Sequence, residues 1–272
     1  MAIEAVQLAC RLIQRLPLKM ETKTDMSPVT IADYASQGVI MGHLEDHFIA
    51  EESEASEDMK QLIRTYTELP LRWTNEQATN KGYILDPIDG TKGYLRGGQY
   101  AVCLAYFDEV IQFSVIGCPR LGFPSLTDTP GTLMVAIKDQ GCYQIGLFDN
   151  FSLSSALACH ACPSASVIMS FESQHCNQET VDEFLKHNAF EVHRMDSQAK
   201  YCVVARGEAG VYLRPTPYGY TEKLWDHAAG ILAIREAGGI VKQTNDRPIN
   251  IEYMPTFPVS GLLAHHTSLI LK

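Results

Sequence analysis

One short stretch, Leu85-Asp86-Pro87-Ile88-Asp89-Gly90-Thr91, limits what this chain can fold into more than any other. It crowds two carboxylates, a proline and a hydroxyl into one corner. Just upstream, Gly82-Tyr83-Ile84-Leu85 is a short apolar run of the kind that forms a buried strand. Proline cannot donate to a ladder and fixes its own φ, so the strand is expected to stop at Pro87 and turn. Two aspartates three apart at a strand end then converge on one spot instead of pointing to opposite faces. Oxygen-only ligands suit a hard cation such as Mg²⁺, not zinc or copper. Gly90 allows close backbone approach, and Thr91 places a hydroxyl beside the cation. The corner reads as the floor of a metal-dependent phosphate site.

A chain of 272 residues can bury a substantial core, as one large domain or two smaller lobes. Hydrophobic residues make up 46% and charged ones 20%, the balance of an ordinary soluble globular protein. The net charge of −10, from 22 basic and 32 acidic residues, argues against a broad nucleic-acid-binding face. A nucleotide is still allowed, because it needs only a few cations around one pocket. No apolar stretch reaches membrane-spanning length, and the opening residues lack the layout of a signal peptide. The expectation is a cytoplasmic protein that uses neither a membrane nor a nucleic-acid polymer. Eight cysteines invite a disulfide reading, but the size of the chain and the missing secretory segment oppose it. Cys159 and Cys162 form the one C-x-x-C, with no second pair at zinc-like spacing, and read as incidental thiols. Cys103, Cys118 and Cys202 sit in apolar settings typical of buried thiols.

Ile3, Val6, Cys10 and Ile13 recur at helical spacing and predict an amphipathic opening helix. Residues 51–60 are acid-rich and read as a solvated loop before the next helix. A hairpin is expected across Tyr100–Val115, a loop over Gly117–Pro130, and a strand pair at Leu133–Ile137 and Gly141–Ile145. A composition shift near residue 150 suggests a boundary between an N-terminal lobe, 1–150, and a C-terminal lobe, 151–272. Ser166–Ser170 reads as a strand, Glu179–His187 as a helix and Tyr201–Ala205 as a buried segment. Trp225–Ala237 has helical apolar spacing and stops at Gly238-Gly239. Strands and helices interleave in both halves, so the class is α+β or α/β with layered sheets.

Four further segments supply what the corner lacks. Ser27-Pro28-Val29-Thr30-Ile31-Ala32-Asp33 places an acid at the start of a helical pattern, and Ile49-Ala50-Glu51-Glu52-Ser53 ends an apolar run with two carboxylates. Asp226, in Trp225-Asp226-His227, is positioned to cap a helix, whose N-terminus favours anions. Asp196-Ser197-Gln198-Ala199-Lys200 and Arg214 bring hydroxyl and cationic groups suited to a second phosphate.

Taken in this order, these segments resemble the lithium-sensitive, magnesium-dependent phosphatase superfamily that includes inositol monophosphatase. The shared landmarks are SPVT-x-x-D-Y (27–34), EES (51–53), DPIDGTKG-x-L-R-G (86–97), DSQ-x-KY (196–201), VYLR (211–214) and EK-x-WDHAAG (222–230). DPIDGT with WDHAAG marks the superfamily, and DSQ-x-KY with VYLR points to its 3′(2′),5′-bisphosphate nucleotidase branch. The resemblance implies an α+β fold, a layered α/β sandwich with alternating αβαβα layers in two lobes. It implies two or three Mg²⁺ ions held by Glu51, Asp86, Asp89, Asp226 and the carbonyl of Ile88, with Li⁺ inhibitory. It also implies a catalytic set of Asp33, Thr91 and Glu52, in which Thr91 and Asp33 form a relay that orients and deprotonates the attacking water. Substrate contacts would come from Gly90, Thr91, His175, Ser197, Lys200 and Arg214. The expected substrate is 3′-phosphoadenosine 5′-phosphate, split to AMP and phosphate, together with its 5′-phosphosulfate analogue; a monomer or weak homodimer is expected. The family usually has glycine where this chain has Ala50, which bears on the turn beside Glu51. His265-His266 reads as non-catalytic.

Three rival readings remain at this stage. A haloacid-dehalogenase-type phosphatase needs D-x-D-G-T, but here the aspartates are three apart and the two-apart position is Pro87. A non-catalytic nucleotide-binding regulator would be expected to have lost some of these residues, yet all are present. An inositol phosphate or fructose-bisphosphate phosphatase of the same superfamily is the closest rival, since catalysis resides on phosphate and metals.

Overall fold

The computed structural model describes residues 1–23, 27–74, 80–122, 131–172 and 176–271. Its framework is two sheets that share one central layer of helices. The larger sheet has seven strands in sequence order: β3 (Phe48–Ala50), β4 (Lys81–Asp89), β5 (Ala101–Asp108), β6 (Val110–Cys118), β7 (Thr132–Ile137), β8 (Gly141–Gly146) and β9 (Leu157–Ala158). Only β3 and β4 pair in parallel; the other neighbours are antiparallel. The smaller sheet combines β10 (Ser166–Ser170), β11 (Glu191–Met195), β12 (Val211–Arg214), β14 (Gly239–Gln243) and β16 (Leu262–His266), in the order β11-β10-β12-β16-β14. Two short ribbons complete the strands: β1 (Met20–Thr22) with β2 (Pro28–Thr30), and β13 (Glu222–Lys223) with β15 (Thr256–Phe257). The chain leaves the larger sheet after β9 and enters the smaller one at β10.

Side-chain alternation dictates the layering. Strand residues two apart share a face, so Val102 and Leu104 of β5 turn one way while Ala101, Cys103, Ala105 and Phe107 turn the other. The first set packs with α1 (Ala2–Ile13), α2 (Ile31–His43) and α3 (Glu57–Arg64). The second set meets α6 (Ala199–Ala205) and α7 (Ala228–Glu236). The smaller sheet repeats the device. Ile168, Tyr212, Leu262 and Ala264 point into the central layer, while Val167, Val211, Leu213 and Leu263 bury against Val181 and Phe184 of α5 (Gln178–His187). The result is the five-layer αβαβα stack that the resemblance implied. Gly230 permits the close approach of α7 to α6, since a Cβ there would lie 2.2 Å from the Tyr201 ring.

Several local expectations need correction. β4 does not stop at Pro87; it continues to Asp89 through a register shift. The acid-rich stretch is not all loop, because Ser56 caps α3, its hydroxyl accepting from Met59 N–H at 3.3 Å, and Glu52 is buried. Helix α7 starts at Ala228, and Leu224–Asp226 forms a separate 3₁₀ turn. Gly117 and Cys118 belong to β6, and residues 123–130 lie outside the described residues. All eight cysteines are free, although Cys118 and Cys202 bring their sulfurs to 3.8 Å. Among the described residues, no helix is long and apolar enough to cross a membrane.

Candidate active site

The aspartate corner is built by a bulge. Asp86 pairs with Cys103 and Asp89 with Ala101, so two residues of β4 face the single residue Val102 of β5. In a regular strand, positions three apart point to opposite faces; one extra residue restores the parity. Asp86 and Asp89 therefore share the side of Cys103 and Ala101, both of which face the central layer. The bulge also accommodates the missing Pro87 N–H, and Ser36 Oγ donates to the Pro87 carbonyl at 2.8 Å. Asp86 is 1% exposed, and its Oδ1 has no hydrogen-bond partner among the described residues. Burial, and then the charges of Glu51, Asp89 and Asp226, push its carboxyl well above the ordinary carboxylate range. Burial raises Asp89 to about 6 even though Lys200 and Arg214 oppose the shift, and it raises Asp226 against the pull of Arg214. A buried acid with one oxygen left unpartnered, inside a cluster of like charges, is a site whose chemistry asks for a cation.

Helix α2 organises this corner from beneath. Asp33, Ser36 and Gln37 lie at i, i+3 and i+4, on one face of the helix. The capping box formed by Thr30 and Asp33 fixes the first of them: the Thr30 N–H and hydroxyl donate to Asp33 Oδ2 at 2.8 and 2.6 Å. That leaves Asp33 Oδ1 to accept from Thr91 Oγ1 at 3.2 Å, and the same hydroxyl lies 3.2 Å from the Ile88 carbonyl. Asp33 is fully buried, and burial drives its pKa up to about 7 against the Thr30 hydrogen bonds. Gln37 holds both backbone groups of Glu52, donating to its carbonyl at 2.8 Å and accepting from its N–H at 3.2 Å. Lys23 Nζ bridges Glu51 at 2.9 Å and Glu52 at 2.5 Å. Burial and the Glu51 charge raise Glu52 to about 8 despite Lys23.

The second half of the site comes from the smaller sheet. β10 is parallel both to β11 on one side and to β12 on the other. A crevice at the carboxyl ends of strands that diverge in this way is a preferred ligand position, and Ser170, Met195 and Arg214 line it. Ser197 follows β11 with φ of +66°, a left-handed conformation unusual for a non-glycine residue. Gly90, itself at φ +86°, lies directly against it, and a Cβ on Gly90 would sit 3.0 Å from Ser197 Cβ. Lys200 is 4% exposed, donates to the Ser197 carbonyl at 2.6 Å and is lowered by burial to about 8. Arg214 makes a two-pronged pair with Glu222 at 2.8 and 2.7 Å and lies 3.5 Å from Asp226. Glu222 also accepts from Thr216 at 2.8 Å and contacts His227 Nε2 at 3.0 Å, while His227 Nδ1 meets Tyr201 OH at 2.9 Å.

One cleft of about 690 Å³ collects Glu51, Asp89, Gly90, Thr91, Ser197, Lys200, Arg214 and Asp226. Asp86 and Asp33 lie beneath its floor, and Lys23, Lys92 and Lys223 add cations around it. A protein of net charge −10 thus keeps five basic side chains at one opening. Asp226 ends the 3₁₀ turn and does not cap α7; His227 occupies the cap position, with its ring committed elsewhere. His175 lies outside the described residues. His265 and His266 sit on β16 and do not line the cleft. Ser36, Gln37, Lys23, Gln198, Glu222 and His227 carried no assigned role in the sequence reading. Helical spacing after Asp33 offered a signal for Ser36 and Gln37; nothing local pointed to the others' contacts.

Glu222, Asp226 and His227 also bring one ligand atom each within 4.8 Å of one another. Arg214 already supplies the positive charge there, and with His227 it holds Glu222 well below the ordinary carboxylate range against the effect of burial. This group is an ion-pair network. The fit to a metal is better at Asp86.

Comparison with known proteins shows the family. The model of the inositol monophosphatase family matches residues 1–270. The chain belongs to that family. Among its relatives is a Candida albicans protein named 3′(2′),5′-bisphosphate nucleotidase 1, 32% identical over 321 aligned positions that cover 98% of this chain and 88% of the relative. An Arabidopsis thaliana 3′,5′-bisphosphate nucleotidase 2 is 34% identical over 322 positions, covering 99% and 90%. Of solved structures, an IMPase from Thermotoga maritima superimposes with a TM-score of 0.68 at 17% identity over 97% of this chain and 89% of its own. CysQ from Bacteroides thetaiotaomicron gives 0.67 at 24% identity over 98% and 96%. At those identities the solved structures speak for the fold alone.

Proposed function

We propose that this member of the inositol monophosphatase family is a Mg²⁺-dependent 3′(2′),5′-bisphosphate nucleotidase. It hydrolyses the 3′-phosphate of 3′-phosphoadenosine 5′-phosphate to AMP and phosphate, and accepts the 5′-phosphosulfate analogue. The observation that carries this reading is a single cleft in which the buried cations Lys200 and Arg214 stand beside the carboxylate cluster, Arg214 lying 3.5 Å from Asp226. The acids would hold metal at one phosphate, and the two cations add positive charge for a second. The curated relatives that bear nucleotidase names support the same substrate class.

Glu51, Asp86, Asp89, Asp226 and the Ile88 carbonyl are the groups that would hold two or three Mg²⁺. When bound, the ions supply positive charge that activates a water and stabilises the leaving ribose oxygen. The chain's own contribution begins at Thr91, whose hydroxyl orients the water and passes its proton to Asp33 Oδ1 at 3.2 Å. An acid poised at about 7 suits that role. Glu52, also raised by burial, stands beside Glu51 as a reserve acid. The amides after Gly90 open α4 (Thr91–Arg96) toward the transferred phosphate. Ser197, Lys200 and Arg214 hold the 5′ phosphate, and Glu222 fixes the angle of the guanidinium. Water attacks directly, without a phosphoenzyme. The free thiols fit a cytoplasmic setting.

Steady-state kinetics on 3′-phosphoadenosine 5′-phosphate and inositol 1-phosphate test the proposal. A clear preference for the nucleotide, loss of turnover in EDTA and inhibition by Li⁺ that extra substrate does not relieve are expected. Equal or better efficiency on inositol 1-phosphate overturns the substrate class. Full activity without divalent metal overturns the site itself.

A further inference from the structure

Gln198 has no part in the mechanism above, yet it joins the pieces on which that mechanism depends. It is 1% exposed. Its backbone N–H donates to Asp89 Oδ2. Its side-chain Nε2 donates to the Trp225 carbonyl at 2.8 Å, and its Oε1 accepts from Gly230 N–H at 3.1 Å. Asp89 ends a strand of the larger sheet, Trp225 immediately precedes Asp226, and Gly230 lies in the first turn of α7. One residue therefore spans the end of β4 and the 3₁₀ turn, the two segments that present Asp89 and Asp226.

The amide is also held in one orientation. Turning it over would set its NH₂ against the Gly230 N–H and its oxygen against the Trp225 carbonyl, losing both bonds at once. The backbone before it sits at the positive φ of Ser197, a conformation that persists only where its surroundings over-determine it. Gly90 packs against that turn and supplies such a constraint. Its carbonyl accepts from the Tyr201 and Cys202 N–H groups of α6, but its N–H and both side-chain bonds go to segments bearing an acid of the cluster or to the helix that follows one.

We infer that Gln198 is a positioning residue that fixes the separation of Asp89 and Asp226, and thereby sets the affinity of the cleft for its divalent cation. The inference rests on the reading that these two aspartates hold the cation. Groups that orient ligands in this way are worth about 10–100-fold in metal affinity.

The test uses the full-length, metal-free protein and Mg²⁺ alone as the probe. Gln198→Met keeps the volume and the backbone bond but removes both side-chain bonds. Calorimetric titration should give a Kd for Mg²⁺ weakened by ~10–100-fold in a folded protein. Trp225 emission, isolated by Trp73→Phe, should report the same shift. Turnover should recover as Mg²⁺ is raised, with the substrate KM at saturating Mg²⁺ unchanged. A folded variant with the wild-type Mg²⁺ Kd overturns the inference, whatever its Tm, because a purely structural staple would lower Tm alone. Should the variant not fold, hydrogen exchange on the wild type decides. Mg²⁺ binding should slow exchange at the Gln198 and Gly230 amides, and unchanged exchange there overturns the inference. Wild-type protein that binds no Mg²⁺ would instead remove the ligand reading on which it rests.

Discussion

Two groups of buried and half-buried carboxylates lie side by side in this protein and behave in opposite ways. Around Asp86, Asp89 and Asp226, acid faces acid, and burial drives all three upward. Around Glu222, one carboxylate is surrounded by Arg214, His227 and Thr216, and it is held low. The first arrangement is electrostatically unfinished and the second is complete. A group that is satisfied by its own fold serves as support; one that is not is where a ligand can bring free energy. Arg214 joins them, paired to Glu222 and 3.5 Å from Asp226.

The contrast is broken most directly by neutralising one acid of the unfinished group. Asp86→Asn should lower phosphate release by ~10²–10³-fold or more, while thermal unfolding of the metal-free protein shows equal or greater stability. Asp226→Asn should behave alike in turnover. Loss of activity only through unfolding, with metal affinity unchanged in the folded fraction, would return both acids to a structural role. Glu222→Gln should do the reverse. It removes the charge of the buried guanidinium's two-pronged partner and leaves Asp226, at 3.5 Å, as the remaining acid, so denaturant unfolding should show a loss of up to ~3–5 kcal/mol; a change below about 1 kcal/mol would mean the network is not the support described here.

Mg²⁺ itself should sharpen the difference. At about a hundred times its Kd it should stabilise the wild type by ~2.7 kcal/mol, and Asp86→Asn should gain far less in the same thermal scan. The smallest effect is on pH. Asp89, Asp33 and Glu52 are raised to about 6, 7 and 8. Between the ordinary carboxylate values and these, the folded state binds more protons than the unfolded one, so stability falls as pH rises. Glu222 is lowered, and its contribution is present above the ordinary glutamate value of 4.5 and lost as pH falls below it. Metal-free protein should therefore be most stable near pH 5 and weaken toward pH 8 (both rough positions from the same linkage). Saturating Mg²⁺ should remove the upper decline, and a metal-free profile flat from pH 5 to 8 would deny that the acids are buried together.

The interleaved strands and helices could be read in outline because period-2 and period-3.6 apolar patterns survive in any context; the five layers came from the family resemblance. Asp33, Glu51, Asp86, Asp89, Thr91 and Asp226 could be named because each sits in a short local pattern with a turn or a helix start beside it. The bulge at Pro87 was not legible. A proline signals a break, but whether the chain turns or inserts an extra residue depends on the register of β5, which is non-local. The same holds for Gln198, whose N–H and side-chain partners lie 109, 27 and 32 residues away. Glu222 and His227 were visible as part of a pattern, but their roles depend on Arg214 and Tyr201 arriving from other strands and helices.

What the amino-acid sequence determined by itself is the inventory: which acids, which hydroxyl, which cations, and the periodicities that sort them onto strands and helices. Those follow from local propensity and spacing, which act over a few residues. Which carboxylates would be left without a partner and which would be neutralised was decided only by the tertiary structure. Burial and pairing are properties of what packs against a group, and here the decisive neighbours come from opposite sheets.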